Sequence, residues 1–316
     1  MQLVSISSAI NLAFGDGATV LPWMGPAVRG WILGPLKESM CLLNKTELAA
    51  QGDYCDGCPK QSVCDFGRTL EGFGFGGSPM NQNQNSSMRS GWIRIGAMDQ
   101  QNVGAMKDAS VDVPFSLQLL TDDLFDFKGF HGHLCNLPAG RLAGWQATLC
   151  CEAIQRTQVV NVDPHAFLDI DPVDSSSLSL ADVRVELLSP LCLTRPNEIG
   201  KKVSVRVPQF SDLLRACLRT VGSLVIVPEV AARIDFARLK ALSQSIELAS
   251  QGFSQFDQRR TSGRSLQSYE VHGCLGWGEY RSVPRELLKW LEWGGRLQVG
   301  THRTAGAGAW QVFVLS

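Results

Sequence analysis

Hydrophobic and polar positions change rhythm several times along the chain. In "VRVELLSPLCL" (183–193) apolar residues fall at every second position, which predicts a half-buried strand ended by Pro190. In "QFSDLLRACLRTVGSL" (209–224) Phe210, Leu213, Leu214, Cys217 and Leu218 recur every three or four positions, which predicts an amphipathic helix. Arg215 and Arg219, four apart, then share its polar face. "YEVHGCLGWGEY" reads as a pair of strands around Gly273 to Gly278, "PRELLKWLEWGGRL" (284–297) as a second helix, and "WQVFVL" (310–315) as a last strand.

That order, β-α-β-β-α-β, is the ferredoxin-like unit. The N-terminal half reads as a degenerate second copy. Val28, Trp31, Ile32, Leu36 and Met40 follow Pro26 at helical spacing and predict a helix over about 26–42, while "GWIRIGAM" and "VDVPFSLQLL" are strand-like. The expected class is therefore α+β, with tandem ferredoxin-like domains at 1–175 and 183–316 and the polar, turn-rich segment 168–182 as boundary. A cysteine-rich insertion at about 41–90 interrupts the first; it runs into "EGFGFGGSPMNQNQNSSM", which has little to pack and reads as a long loop.

Composition narrows the function classes. The chain has 316 residues, 44% of them hydrophobic and 19% charged, with a net charge of −1, so there is no global attraction to nucleic acid and any anion site must be local. The first twenty residues lack a basic leader, and no run reaches the roughly 18 apolar residues of a membrane span, so a soluble cytoplasmic protein is expected. In that reducing compartment clustered cysteines bind metal more often than they form disulfides. Cys41, Cys55, Cys58 and Cys64 lie in "CLLNKTELAAQGDYCDGCPKQSVC" around a Cys-x2-Cys pair, a donor set for structural zinc, with an iron–sulfur cluster and four reduced thiols as the alternatives.

The stretch "LQVGTHRTAGAG" (297–308) sets Gly300, Gly306 and Gly308 beside His302 and Arg303 just before the last strand. Glycines let successive amides turn into one concavity that suits phosphate, although the commonest role of such a stretch is a turn. With "RRTSGRSLQSYEVHGCLGWGEY" ahead of it, this tail resembles the C-terminal half of the CRISPR-associated endoribonucleases that cut precursor crRNA within its repeats, members of the RAMP superfamily. The matching residues are Arg260, Ser262, Arg264, Gly273, Gly276, Gly295, Gly300, Gly306 and Gly308. "VELLSPLCL", "FSDLLRACLRTVGSL" and "GPAVRGWILGPLKESMC" are similar to family strands and helices, and "CDGCPKQSVCDFGRTLEG" to a cysteine-bearing insert of one branch.

The resemblance implies two RAMP-type, RRM-like domains that clamp a crRNA hairpin, stay on it with other CRISPR effector subunits, and cut it with no catalytic cofactor. The 2′-hydroxyl attacks the neighbouring phosphate, so a base, an acid and cations are needed. Many members carry a catalytic histidine in or beside the first helix; residues 22–43 here contain none, so the candidates are His302, His133 and His131, the last two alternating in "GFHGHLC" as on one side of a strand or a loop. Arg29, Arg215, Arg219, Arg259, Arg260, Ser262, Arg264 and Arg303, with Gly300, Gly306 and Gly308, are the RNA-binding candidates, and Trp277 and Tyr280 stand as stacking or core aromatics. A non-catalytic subunit that caps the crRNA is the alternative.

Overall fold

The computed structural model describes residues 1–13, 21–44, 46–47, 55, 58–60, 63–70, 91–96, 111–121, 125–142, 145–149, 156–168, 179–261 and 268–315. The chain divides into two units, Met1–Val162 and Asp163–Ser316. The Gly- and Asn-rich stretch 71–90 and most of segment 168–182 lie outside the described residues.

At the centre of the first unit is β1 (Gln2–Ala13), whose buried and half-exposed positions alternate as an internal strand requires. It pairs antiparallel with β3 (Val111–Thr121) from Gln2↔Thr121 to Leu12↔Val111. On its other side it pairs with β5 (Trp145–Leu149) near Ile10 and with β6 (Arg156–Asn161) near its start. β2 (Gly91–Arg94) and β4 (Gly140–Leu142) complete the order β2-β3-β1-β5-β4. Helix α1 (Gly25–Met40) starts on Pro26, whose missing N–H costs nothing in a first turn, and buries Val28, Ile32, Leu33 and Leu36. Helix α2 (Phe127–Cys135) takes up the "GFHGHLC" segment, which the sequence left as strand or loop. The Asp126 side chain accepts from the Lys128 and Gly129 amides, and this cap offsets the poor helix propensity of two glycines.

The second unit is built on β7 (Leu180–Leu191), which runs through Pro190 instead of stopping before it. A small ribbon of β8 (Thr194–Pro196) and β9 (Lys202–Ser204) leads to α3 (Phe210–Leu224), opened by a capping box between Gln209 and Asp212. Short α4 (Pro228–Ala231) and α5 (Phe236–Gln244) follow. "YEVHGCLGWGEY" is not a pair of strands: it is the middle of one long strand, β12 (Ser268–Pro284), and the partners are β10 (Glu247–Gln251) and β11 (Ser254–Thr261). Helix α6 (Arg285–Leu297) and β13 (Trp310–Val314) close the order β10-β12-β7-β13. Each unit thus has the ferredoxin-like β-α-β-β-α-β plan, with β1 or β7 inside its sheet.

The core of the second unit joins Val183 and Val185 of β7 to Leu213, Leu214 and Val221 of α3 and Leu287, Trp290 and Leu291 of α6, all buried. Full burial of each such aliphatic side chain contributes roughly 1.5–3 kcal/mol. Cys192, Cys217 and Cys274 are buried too. Desolvation pushes the Cys192 and Cys274 thiols up to about 12, and the fully enclosed Cys217 up as well. Among the described residues no helix is long and apolar enough to cross a membrane.

Candidate functional site

The glycine-rich tail folds inward. After α6, Val299 N–H donates to the Gly308 carbonyl, Thr301 N–H to the Cys192 carbonyl and Gly308 N–H to the Pro190 carbonyl, so the loop is laced to the end of β7. Inside it, the Ala305 and Ala307 amides donate to the His302 carbonyl and the Gly306 amide to that of Arg303. The sequence suggested that these amides form an anion-binding concavity; instead their hydrogens are spent on main-chain carbonyls. The glycines serve close packing. Gly300 and Gly308 have φ of +87° and +79°, and a Cβ would run into the Cys192 carbonyl at the first and the Val299 carbonyl at the second.

Arg303 is likewise not an RNA-facing cation. It is 1% exposed, its guanidinium donates to the Leu297 carbonyl at 3.0 Å, and desolvation lowers its proton affinity to about 9. With Gln298, whose side chain donates to the Gly306 carbonyl, it braces the loop from within. What the loop presents is His302. This residue has a left-handed backbone, φ 61° and ψ 14°, so its side chain leaves the turn in a direction set by the loop and not by a helix or strand.

Its neighbours come from the β11–β12 hairpin. Arg260 and Tyr269 face each other across that ladder. The Tyr269 ring lies over the His302 imidazole with centroids 5.8 Å apart and planes 13° from parallel, and the Tyr269 hydroxyl is hydrogen-bonded to the Arg260 guanidinium. Burial, then the Arg260 charge, lower the proton affinity of His302, so the imidazole is neutral at neutral pH. Arg260 is itself half-buried and its proton affinity falls through desolvation, although the guanidinium keeps its charge. A neutral imidazole beside a guanidinium can accept a proton next to an anionic phosphate. Tyr269 was not singled out in the sequence. The signal for it is the period-two alternation of "SYEVHG", which puts Tyr269 on the face of Val271, once the hairpin register is known.

The other candidates scatter. Arg215 and Arg219 are exposed on α3 and, with Lys240 of α5, rim a cavity of about 310 Å³ floored by Leu214, Leu218 and Phe236. Arg215 also pairs with Asp212 at 2.8 Å. Arg259 is exposed on β11; Ser262 and Arg264 lie outside the described residues. Arg29 is half-buried on α1. His131 and His133 sit on α2, where the His131 ring is 3.6 Å from the Cys135 sulfur four residues on, so no shared strand face joins the two histidines. Tyr280 is core: its hydroxyl donates to the Pro208 carbonyl at 2.9 Å and its ring meets Phe210 edge-on. Trp277 holds Arg184 over its ring at 4.1 Å.

His272 also lies in the C-terminal unit. Its Nδ1 is 2.5 Å from Asp257 and its Nε2 3.1 Å from Glu270, and Arg206 also reaches Asp257 at 2.9 Å. Hydrogen bonds, first from His272, pull the Asp257 carboxyl down to about 2. Of the four cysteines proposed as metal ligands, Cys55 and Cys64 are buried and Cys41 and Cys58 half-buried, all as free thiols. Burial raises the Cys55 thiol against the lowering influence of Lys37, and the charges of Cys64, Cys58 and Cys41 add to the rise. Among the described residues, however, no three His, Cys, Asp or Glu side chains converge on a metal position.

Comparison with known proteins bears on this arrangement. Residues 185–310 match the family described as CRISPR-associated endoribonuclease Cas6, a span that begins in β7 and ends at the first residue of β13. The match lies within the C-terminal unit. At the level of whole folds, the chain is similar to a Cas6 product complex, at 13% identity and a TM-score of 0.54 over 99% of this chain and 100% of that one. It is also similar to a partial Cas6-RT-Cas1–Cas2 complex, at 12% identity and a TM-score of 0.50 over 100% of this chain and 46% of that one. No curated protein matches the sequence. The matched span includes Arg260, Tyr269 and His302.

Proposed function

We propose that the protein is an endoribonuclease that binds CRISPR repeat RNA, cuts precursor crRNA and remains on the resulting hairpin in the cytoplasm with other CRISPR subunits. The observation that carries this reading is the placement, inside the Cas6-matched span, of a half-buried neutral imidazole at His302 beside the Arg260 guanidinium. In the proposed reaction the 2′-hydroxyl oxygen attacks phosphorus while its proton passes to the His302 imidazole. The bond from phosphorus to the 5′-oxygen breaks, that oxygen takes up a proton, and the products are a 2′,3′-cyclic phosphate and a 5′-hydroxyl. Arg260 offsets the charge that builds on the phosphoryl oxygens. No metal takes part in these steps. Exposed Arg215, Arg219 and Arg259 supply phosphate contacts, each of which adds to the salt dependence of binding.

Incubation of the purified protein with its own repeat RNA in EDTA tests the reading. Cleavage at one site to a cyclic phosphate is the expected result. Tight binding without cleavage would assign the protein to crRNA capping, and neither binding nor cleavage would overturn the RNA role altogether. A structural zinc on Cys41, Cys55, Cys58 and Cys64 is a separate part of the proposal. It is supported by the donor chemistry and by the influence of the other three thiols on Cys55, not by a converged geometry. Near-stoichiometric zinc in the purified protein is expected; finding neither zinc nor iron would remove it.

A further inference from the structure

We infer that Tyr269 is a positioning residue of the cleavage site, locking the His302 imidazole and the Arg260 guanidinium into one unit; this rests on the endoribonuclease reading above. His302 and Arg260 belong to different parts of the chain and touch different things. His302 rides on a loop fastened to β7, and Arg260 stands on β11, which is paired with β12. Tyr269 engages both. It lies opposite Arg260 in the ladder and hydrogen-bonds with it through its hydroxyl, while its ring face covers the imidazole within 13° of parallel.

Each of these contacts answers a requirement of the chemistry. A histidine on a left-handed turn leaves the loop outside the regular directions of a helix or strand, and the flat phenol adds a constraint on its ring plane. A guanidinium on a hairpin strand has several rotatable bonds, and a hydrogen bond from one nitrogen leaves the remaining donors of its fork for a phosphate. The groups that act on the His302 proton are burial, to which the Tyr269 ring contributes, and the Arg260 charge. Arg303, next in the chain, directs its guanidinium to the Leu297 carbonyl instead. Tyr269 is itself 37% exposed, so one edge of the cluster faces solvent, where a nucleotide has room to approach. Misplacement of catalytic groups by about an ångström can cost on the order of a hundredfold in rate, and this is the loss that the bracing prevents.

Two variants separate the two contacts. Tyr269→Phe keeps the ring and removes the hydrogen bond to Arg260; Tyr269→Leu removes the flat ring as well. NMR titration of His302 in the free protein and the pH profile of single-turnover cleavage of the repeat RNA are the readouts, with thermal unfolding to confirm folding. In Tyr269→Leu the His302 titration is expected to move up towards the ordinary histidine value, the acid limb of the pH profile to move with it, and the rate at neutral pH to fall by about ten- to a hundredfold. In Tyr269→Phe the titration is expected to stay near the wild-type position while the plateau rate drops severalfold. If the wild-type protein cuts and both variants keep its titration and its pH profile, the role of Tyr269 is overturned and the endoribonuclease reading stands. A wild-type protein that does not cut overturns that reading, and this inference with it.

Discussion

His272 and His302 lie in the same unit, and their surroundings differ in kind. His272 sits on β12 with a carboxylate at each ring nitrogen, in a surface network that also ties in Arg206. His302 is half-buried against an aromatic face, and a cation acts on it. The first environment occupies both nitrogens and holds a hairpin in place. The second disfavours the imidazolium and leaves a base ready for use at neutral pH. The contrast is one of environment, and the proposed role of His302 rests on that difference.

The sharpest way to break this contrast is to replace each histidine in turn. His302→Asn, chosen because Asn tolerates the left-handed backbone, is expected to lower single-turnover cleavage by about 10²–10⁴-fold. His272→Ala is expected to leave the rate within about twofold and to cost roughly 0.2–1 kcal/mol of stability, as exposed ion pairs do. Equal losses in the two variants would erase the distinction.

A second test concerns the loop that carries His302. Gly308→Ala forces a side chain onto the Val299 carbonyl at a positive φ, and a destabilisation of about 2–4 kcal/mol in urea or thermal unfolding is expected. Wild-type stability in that variant would mean that the loop is not seated against β7 as described.

The smallest effect belongs to the His272 network and acid. The folded Asp257 carboxyl is held at about 2, below its unfolded value of about 3.9, so its contribution to stability is complete above pH ~4 and is lost as the pH falls towards 2. Asp257→Asn should flatten that part of the stability profile, measured by urea unfolding at stepped pH. An unchanged slope would show that the hydrogen bonds from His272 and Gln255 do not govern this carboxyl.

Much of the C-terminal fold is legible in the residues, because β7, α3, α6 and β13 carry clear periodicities and their ends agree with expectation to within a few positions. Strand β12 misleads, since glycines that break a strand pattern locally are accommodated here by two successive partners, β10 and β11. Strand β1 sets Val4, Ile6, Ile10 and Leu12 on one buried face with Ser5, Ser7 and Ala9 between them, a period-two alternation from which a strand could have been predicted. The composition of the candidate loop could be read directly, but the direction of its amides could not. They are set by carbonyls of Pro190 and Cys192, the latter 109 positions before Thr301. For the same reason Arg303, adjacent to His302, turned out to be internal, whereas Arg260 from the hairpin is the cation that acts on it.

The three enclosed cysteines of the C-terminal unit have a practical consequence for following these events by fluorescence. Only a thiolate reacts with maleimides at useful speed, and Cys192, Cys217 and Cys274 stay protonated and shielded well above neutral pH. Dyes added under native conditions will therefore settle on the N-terminal unit. A reporter near His302 will need a newly introduced surface cysteine, with the native three left in place as silent background.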